Sequence, residues 1–370
     1  MTARNFPTET TGRMDIYLRT FDKLSPEEVS VWGRTQAAND WLDSPCFRPE
    51  FAATLHKVRK DVEVAVIAEK SFPIAFFPFH RKGKGTGLPL GLHLGECQGL
   101  IQSRTLEEDA GEVVKASGLA VWDFQRVRRG HPFTRNYEKL PASSLYVDLT
   151  TGFEAYCESL RHRGTSEMQE ADRNYRRLER EVGAVRLVLN NQHEEIFAGF
   201  MRWKQDQYKT TGMKNPFAPE WVSETLRGTW AEKSLPFMGM CVGLYAGNQL
   251  LAADIGLRSQ GVYQSFGSAF DPNFVRYLPS QCLRFAFFRW AAEHQIQRID
   301  LGQGTEEFKV RLANGEHLLA EGTVAVSTMS KLSRGIWWKM RRTARYPALQ
   351  GPVKSLQGMY YRMRRMLGRS

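Results

Sequence analysis

The order of apolar runs in the second half of the chain restricts the fold more than any other feature. From residue 183 onward, short β-branched runs alternate with longer stretches that carry apolar residues at helical spacing. The runs are, in order, GAVRLVLN, IFAGFMRWKQDQYK, APEWVSETLRGTWAEK, FMGMCVGLYA, QLLAADIGLR, VYQSFGSAF, SQCLRFAFFRWAAEHQ, RIDLG, EEFKVRLAN and HLLAEGTVAVST. They predict strand, two helices, three strands, helix, strand, helix and two strands. This order indicates an α/β (α+β) fold of mixed, mainly antiparallel sheets flanked by helices.

The first half shows a similar alternation. A helix is predicted around residues 26–39, and Ser44 and Pro45 mark a break before another helix. The runs VEVAVIA and PIAFFPF, joined by EKS, predict a β-hairpin, and residues 112–147 repeat the theme. Because 370 residues exceed the usual size of one domain, we predict three parts: 1–145, 146–328 and a tail, 329–370. The Gly-rich stretch 81–95 lacks a phosphate-loop motif and is read as a connection.

The cysteines and the amino-terminal residues help to predict the cellular location of the protein. Five scattered cysteines form no CxxC pair, which indicates reduced thiols and no metal site. Residues 1–15 are polar, and no stretch approaches the roughly 18 apolar residues that span a bilayer. We therefore expect a cytoplasmic protein.

The net charge of +11 is concentrated at the carboxyl end. Residues 331–370 hold 11 of the 51 Lys and Arg and no acidic residue, so the rest of the chain is balanced at 40 of each sign. After Pro352, apolar residues recur at helical spacing with basic residues between them. The tail is therefore predicted to be a basic amphipathic helix that suits an anionic membrane surface and a peripheral position at the inner membrane. An ordinary packing helix is the alternative.

Several local strings resemble one known family. The string SAFDPNFVRYLPSQCLRFAFF looks like a Phe-Asp-Pro strand end, a Ser-Pro-Gly type loop and a helix, with Ser280 where the family loop usually has Gly. The string IDLGQGTEEFKVR looks like an Asp-bearing strand end followed by Gly, Glu and an aromatic-Lys pair, with Phe308 where Tyr is common. SPCFRPEF and IAFFPFHR resemble opening segments. Over roughly residues 40–327 the chain is similar to the CelD-type family of cellulose and exopolysaccharide biosynthesis, in the GCN5-related N-acetyltransferase (GNAT) superfamily, with a FemABX-like tandem arrangement.

The resemblance implies a site for an acyl-CoA donor, acetyl-CoA or another, and no metal. Free backbone N–H groups at a helix N-terminus favour a diphosphate, and a strand backbone of small residues can accept a thioester closely. An ordinary helix start is the alternative reading of the same loop. The residues assigned to this cofactor are Ser268, Ala269, Phe270, Arg276, Leu278, Pro279, Ser280 and Gln281.

Four residues are candidates for the chemistry, which needs a base for the acceptor proton. Asp300 ends a strand and Asp254 interrupts an apolar strand, so burial could raise the pKa of either carboxyl. Asp300 could instead cap a turn, and Asp254 could face solvent. Glu306 and Lys309 are three residues apart and could instead form a local ion pair. The choice of base stays open among Asp300, Asp254 and a water.

Other residues are assigned to the acceptor. Trp203 matches the family pattern, Arg173, Arg176 and Arg177 could meet an anionic acceptor, and Tyr263 lies on an aromatic strand. The alternatives are a solvated helix face for the arginines and core packing for the tyrosine.

We predict an N- or O-acyltransferase acting on a sugar or lipid-linked saccharide, or on an amine, in polysaccharide and cell-envelope biosynthesis. A FemABX-like aminoacyl transferase using charged tRNA is one alternative, and a non-catalytic component of a polysaccharide-synthesis assembly is another. Acyl chain length and oligomeric state are left open.

Overall fold

The computed structural model describes residues 14–106, 109–190, 193–231 and 233–343. The strands in these residues are β1 (Met14–Thr20), β2 (Val62–Glu69), β3 (Phe72–Lys82), β4 (Thr86–Pro89), β5 (Ile101–Gln102), β6 (Val121–Arg128), β7 (Glu138–Asp148), β8 (Val185–Leu189), β9 (Lys233–Ser234), β10 (Phe237–Ala246), β11 (Gln249–Ser259), β12 (Val262–Phe270), β13 (Arg298–Gln303) and β14 (Gly315–Ala325). The α-helices are α1 (Pro26–Ala37), α2 (Pro49–Arg59), α3 (Ala110–Ala116), α4 (Phe153–His162), α5 (Glu167–Glu181), α6 (His193–Thr211), α7 (Glu220–Thr229), α8 (Pro279–Glu293), α9 (Glu307–Leu312) and α10 (Thr328–Thr343).

The strands form one continuous sheet in the order β1-β2-β3-β4-β6-β14-β7-β13-β12-β11-β10-β8, with β5 beside β3 and β9 beside β10. Within the described part of the chain the pairings are antiparallel, except β12 with β13 and β4 with β6. The predicted fold class, a mixed and mainly antiparallel sheet flanked by helices, is therefore confirmed. The predicted hairpin is β2 and β3.

The start of α1 is stabilised by hydrogen bonds between residues that are close in sequence. The Ser25 hydroxyl accepts a hydrogen bond from the Glu28 amide at 3.1 Å, and the Glu28 carboxylate accepts one from the Ser25 amide at 2.6 Å. This capping box, with Pro26 at the first helical position, satisfies two amides that the helix itself leaves without partners.

The last strand differs from the sequence prediction. Residues 317–328 were expected to form an antiparallel pair, but β14 is one strand that lies between β6 and β7. A strand from the carboxyl side of the chain thus completes the part of the sheet built by the first half. The predicted boundary between residues 145 and 146 falls inside β7, which pairs with both β14 and β13.

The helical region at 153–181 also differs, because a single helix was expected over the basic run and two are present. The break between α4 and α5 contains Gly164, whose φ of +75° is left-handed and is easily adopted only by glycine. The chain therefore turns there, and α5 can pack against α8.

Helices cover both faces of the sheet formed by β10, β11 and β12. Residues of α6 and α7 share one apolar cluster with Trp32 of α1 and Phe51 of α2. Residues of α4, α5 and α8 share a second cluster with Tyr263 of β12. Since α6 and α8 each contact β11 and β12, side chains from opposite faces of the sheet can approach the same strand.

The predicted tail begins as α10, which packs against β14. The Arg334 guanidinium binds the Asp123 carboxylate at 2.5 and 2.7 Å, and the Trp338 indole donates to the Thr323 hydroxyl at 2.8 Å. The amphipathic run predicted after Pro352 lies outside the described residues. Among the helices that are described, none combines the length and apolar content needed to cross a bilayer.

Candidate functional site

The parallel strands β12 and β13 separate soon after they begin. They pair only from Val262 to Gln264, opposite Arg298 to Asp300. The rest of β12 stays paired with β11, while Gln303 at the end of β13 pairs with Ser144 of β7. In the described chain, the later half of β12 therefore has one edge without a neighbouring strand, and that backbone is available to a ligand.

The three predicted strand residues lie on this free half of β12. Ser268, Ala269 and Phe270 pair with Asp254, Ala253 and Ala252 of β11. Just before them, Gly267 has a φ of +121°, and its amide donates to the Ser265 hydroxyl at 3.0 Å. Glycine adopts this backbone conformation at low cost. The conformation marks an irregularity in the strand where β12 leaves β13.

The predicted diphosphate loop follows directly. Leu278 has a φ of +51° and precedes Pro279, the first residue of α8, and no side chain caps this helix. Pro279 is buried, whereas Ser280 and Gln281 are partly exposed. The Gln281 amide donates to the Leu278 carbonyl at 2.9 Å, whereas the Ser280 amide has no acceptor among the described residues. A free amide at the positive end of a helix dipole favours an anion.

Two predicted side chains of this loop already have protein partners. The Arg276 guanidinium contacts the Tyr277 hydroxyl and lies 3.9 Å from Glu181. The Gln281 side chain donates to the buried Glu167 carboxylate at 3.1 Å, and Glu167 also binds Arg311 at 2.7 Å. A carboxylate therefore lies next to the first turn of α8, a contact that was not predicted from the sequence.

Asp254 is buried on β11, opposite Ser268 of β12. Its carboxylate accepts hydrogen bonds from the Tyr263 hydroxyl at 2.6 Å and the Ser265 hydroxyl at 3.0 Å. Burial raises the pKa of this carboxyl to about 6, although the two hydrogen bonds and the nearby Arg284 and Lys204 act to lower it. A carboxyl with this pKa is largely ionised at neutral pH and can accept a proton.

Asp300 has a different environment. It is buried, and its carboxylate binds the Arg298 guanidinium at 2.8 and 3.2 Å. Arg298 also binds Asp43 of the first half, and His317 lies 3.7 Å from Asp300. Burial raises the pKa of Asp300, and the charge of Arg298 opposes this. The arrangement is that of an ion-pair network between the two halves.

Glu306 and Lys309 form an ion pair at 3.0 Å, the local arrangement that their spacing allowed. The Lys309 ammonium also donates to the carbonyls of Gly302 and Gln303 at 3.4 and 3.0 Å. Lys309 is buried, whereas Glu306 is mostly exposed. Lys309 thus holds the chain where β13 ends.

The residues predicted to contact the acceptor are spread over several places. Trp203 is buried in the apolar cluster of α6, and Tyr263 is fully buried with its ring edge-on to Phe287. Arg176 and Arg177 form ion pairs with Asp172 and Glu181 along α5, and Arg173 is exposed on that helix. The structure therefore brings Tyr263 next to Asp254, while the arginines lie on a solvated helix face.

Sequence reasoning missed two cations near Asp254. Lys204 of α6 is buried, and Arg284 of α8 has its Nη1 3.2 Å from the Ser268 hydroxyl. Burial lowers the pKa of both groups, and Asp254 counteracts this in each case. A signal existed in the sequence, since Lys204 lies on the apolar side of its helix next to Trp203 and Arg284 interrupts the apolar run LRFAFF.

Metal-binding chemistry has no visible basis in the described ranges, which contain no group of three or more His, Cys, Asp or Glu side chains that could hold an ion. The five cysteines are free thiols, with Cys46, Cys241 and Cys282 buried and the other two partly buried.

Comparisons with known proteins bear on the fold and on the type of domain. The sequence profile of the family described as "Acetyltransferase (GNAT) domain" matches residues 166–310, less than half of the chain. The search of curated proteins found no significant match. The C-terminal domain of a putative lysylphosphatidylglycerol synthetase from Agrobacterium fabrum superimposes with a TM-score of 0.51 at 11% identity, over 84% of this chain and 94% of that one. FemX superimposes with a TM-score of 0.52 at 10% identity, over 77% and 93%.

At these identities the structural likeness shows the fold alone. The profile match covers α5 to α9, and therefore β12, the start of α8 and Asp254. GNAT domains use acyl-CoA as a substrate. Residues 166–310 thus form a GNAT-type acetyltransferase domain, and the protein that carries it is an acyltransferase.

Proposed function

We propose that this protein transfers an acyl group, an acetyl group in the first instance, from acyl-CoA to an amine or hydroxyl of a sugar or lipid-linked saccharide. Residues 1–145 would form a GNAT-like half, and residues 146–328 the half with the donor site. The resemblance to the CelD-type family supports a role in polysaccharide and cell-envelope biosynthesis.

One observation carries the proposal: the free edge of β12 is followed, after a short 3-10 helix at Pro272–Tyr277, by the uncapped N-terminus of α8. In this arrangement the thioester lies along Ser268, Ala269 and Phe270. The diphosphate lies at the amide of Ser280, beside Leu278, Pro279 and Gln281, with Arg276 adding charge.

We assign the base to Asp254 and not to Asp300. The pKa of Asp254 is about 6, and its hydrogen-bond partners are neutral hydroxyls. Asp300 is already held by a guanidinium on both oxygens. In the reaction, Asp254 takes the proton of the acceptor, directly or through water, the acceptor N or O attacks the thioester carbon, and the C–S bond breaks. The thiolate of CoA leaves and is protonated from solvent. Lys309 and Glu306 hold the loop beside the reacting groups.

Thermal unfolding with and without acetyl-CoA tests the donor. Acetyl-CoA should raise the melting temperature of the wild type, since a ligand that binds only the native state stabilises it. Arg276→Ala and Lys309→Ala should each abolish most of this rise. Arg289→Ala is the matched control, because Arg289 is exposed on α8 and stacks on Phe285 away from the loop. A wild type that shows no rise with any acyl-CoA would contradict the proposal.

A second donor is favoured by a specific contact. The Glu167 carboxylate next to Gln281 opposes a diphosphate at the start of α8. A donor that places no diphosphate at this turn, such as the aminoacyl end of a charged tRNA in the FemABX-like reading, does not meet this opposition. Strong, salt-sensitive binding of tRNA together with no acetyl-CoA effect would select this alternative. A non-catalytic role would be selected if Asp254→Asn left the product unchanged in cells.

We also propose that the protein works at the cytoplasmic face of the inner membrane, held there by its carboxyl-terminal part. On α10 the side chains of Met329, Leu332 and Ile336 are 78%, 64% and 51% exposed. Lys331, Lys339 and Arg342 are exposed on the same helix. An exposed apolar stripe beside basic residues suits the surface of an anionic bilayer.

A further inference from the structure

Two cations near Asp254 have no carboxylate within ion-pair distance among the residues described. They are Lys204, which approaches β12 from α6, and Arg284, which approaches it from α8 on the opposite face. Neither residue was part of the predicted site, and neither is needed to explain the binding of a donor.

Lys204 is 8% exposed. Its ammonium has one hydrogen-bond acceptor among the described side chains, the Gln207 amide oxygen at 3.3 Å. The ammonium also lies next to the irregular part of β12, because a Cβ placed on Gly267 would be 3.6 Å from it. The charge is thus directed at the free half of the strand and not at solvent.

Arg284 donates from Nη1 to the Ser268 hydroxyl, and its buried Nε has no hydrogen-bond partner in the described residues. Its guanidinium lies over the Phe308 ring at 5.5 Å. Only some of the N–H donors of this guanidinium therefore have a hydrogen-bond acceptor among the described residues. A planar group with unused donors is suited to a carboxylate or a phosphoryl group.

The charges around Asp254 also favour a bound anion. The charges of Arg284 and Lys309 both oppose that of Lys204, whereas Asp254 and Glu167 favour that of Arg284. Of these neighbours, Lys309 is already paired with Glu306, and Glu167 with Arg311. Asp254 is one carboxyl against two cations, and burial weakens its ionisation. An unpaired buried charge costs several kcal/mol, and a guanidinium cannot escape this cost by losing its proton. A bound anion removes the imbalance.

A cavity beside α6 is lined by basic side chains. It has a volume of about 640 Å³ and lies along α6 and the segment leading to α7. Its lining includes Arg202, Lys209 and Tyr208 and no acidic side chain. The basic lining of this cavity suits an anionic ligand.

We infer that the acceptor carries a carboxylate or phosphoryl group, and that Lys204 and Arg284 bind this group from the two faces of β12. The inference rests on the proposed acyl transfer and specifies the class of its acceptor.

Binding of small oxyanions to the full chain tests it, with sulfate as the probe for a phosphoryl group and acetate for a carboxylate, at constant ionic strength. At least one probe should bind the wild type, and Lys204→Met and Arg284→Gln should each weaken that binding about tenfold or more. In the absence of probe, Lys204→Met should raise the melting temperature, because it replaces an unpaired buried charge by an apolar group of similar shape. A purely structural lysine would give a lower melting temperature.

Matched controls separate this site from the donor site. Arg289→Gln on α8 and Lys57→Gln on α2 remove exposed charges and should leave oxyanion binding unchanged. If sulfate binding is lost in Arg276→Gln but kept in Arg284→Gln, the probe occupies the diphosphate loop and the inference is overturned. It is also overturned if neither probe binds while acetyl-CoA does. Oxyanion binding that depends on Arg284, without any acetyl-CoA effect, would instead contradict the proposed donor alone.

Discussion

The Tyr263 hydroxyl donates a 2.6 Å hydrogen bond to the Asp254 carboxylate, and both groups are buried. The tyrosine ring packs edge-on against Phe287 of α8 at 4.9 Å between centroids. Burial raises the pKa of this tyrosine well above its usual range, so the phenol remains a hydrogen-bond donor at all physiological pH values. In the proposed reaction, Tyr263 is a positioning residue that holds the Asp254 carboxylate.

The rate of acyl transfer should rise with pH through about 6, the pKa of Asp254, and level off above about 7. The groups that face this carboxyl are Tyr263, Ser265, Lys204 and Arg284. Because Lys204 lowers the pKa of Asp254, Lys204→Met should move the midpoint to higher pH, and Arg289→Gln should not. A pH–rate profile on acetyl-CoA with the eventual acceptor measures both, and a flat profile between pH 5 and 8 would remove Asp254 as the base.

Asp254→Asn should abolish transfer and yet stabilise the fold at neutral pH. The folded-state pKa of this carboxyl is raised, so its contribution to stability is complete below the unfolded pKa and is lost as pH rises toward 6. A shift of this size corresponds to roughly 2–3 kcal/mol. Denaturant unfolding should therefore show the variant to be more stable than the wild type at pH 8, with the difference disappearing near pH 4. A variant less stable at pH 8 would mean that the carboxylate is a structural group.

Arg298→Met should destabilise the protein by about 3–5 kcal/mol, because it removes the partner that the buried Asp300 shares with the partly exposed Asp43. Asp300→Asn should also lower stability, but it should keep the pH dependence of transfer near 6. Urea unfolding and the pH–rate profile measure the two effects separately. If Asp300→Asn removed the pH dependence without a loss of stability, the assignment of the base would pass to Asp300.

Leu332→Glu together with Ile336→Glu should reduce sedimentation with vesicles that contain phosphatidylglycerol, without a change in melting temperature. Both side chains are mostly exposed on α10, so their replacement alters the surface and not the core. Leu318→Glu is the control, because Leu318 is 57% exposed on β14 and carries the same change to another surface. Equal vesicle binding by both variants would place the membrane contact elsewhere on the chain.

The sequence by itself determined the hairpin of the first half and most elements of the second half in their order. Apolar periodicity located the hairpin β2–β3 and the succession from β8 to α9, since spacing along the chain reports which face of an element is buried. It also identified Asp254 as a carboxylate in an apolar strand and Glu306 and Lys309 as neighbours on one turn. These are local relationships, which a few successive residues suffice to specify.

Only the tertiary structure decided which distant residues meet. The insertion of β14 between β6 and β7, and the ion pair of Arg298 with Asp43, join segments far apart in sequence. Lys204 and Arg284 lie on helices that cover opposite faces of the sheet, and both approach β12 after it departs from β13, near Gly267 and Ser268. Periodicity indicates on which face of its helix or strand a residue lies. Strand partners and charge partners depend instead on how whole elements pack. That packing creates the positive environment around Asp254.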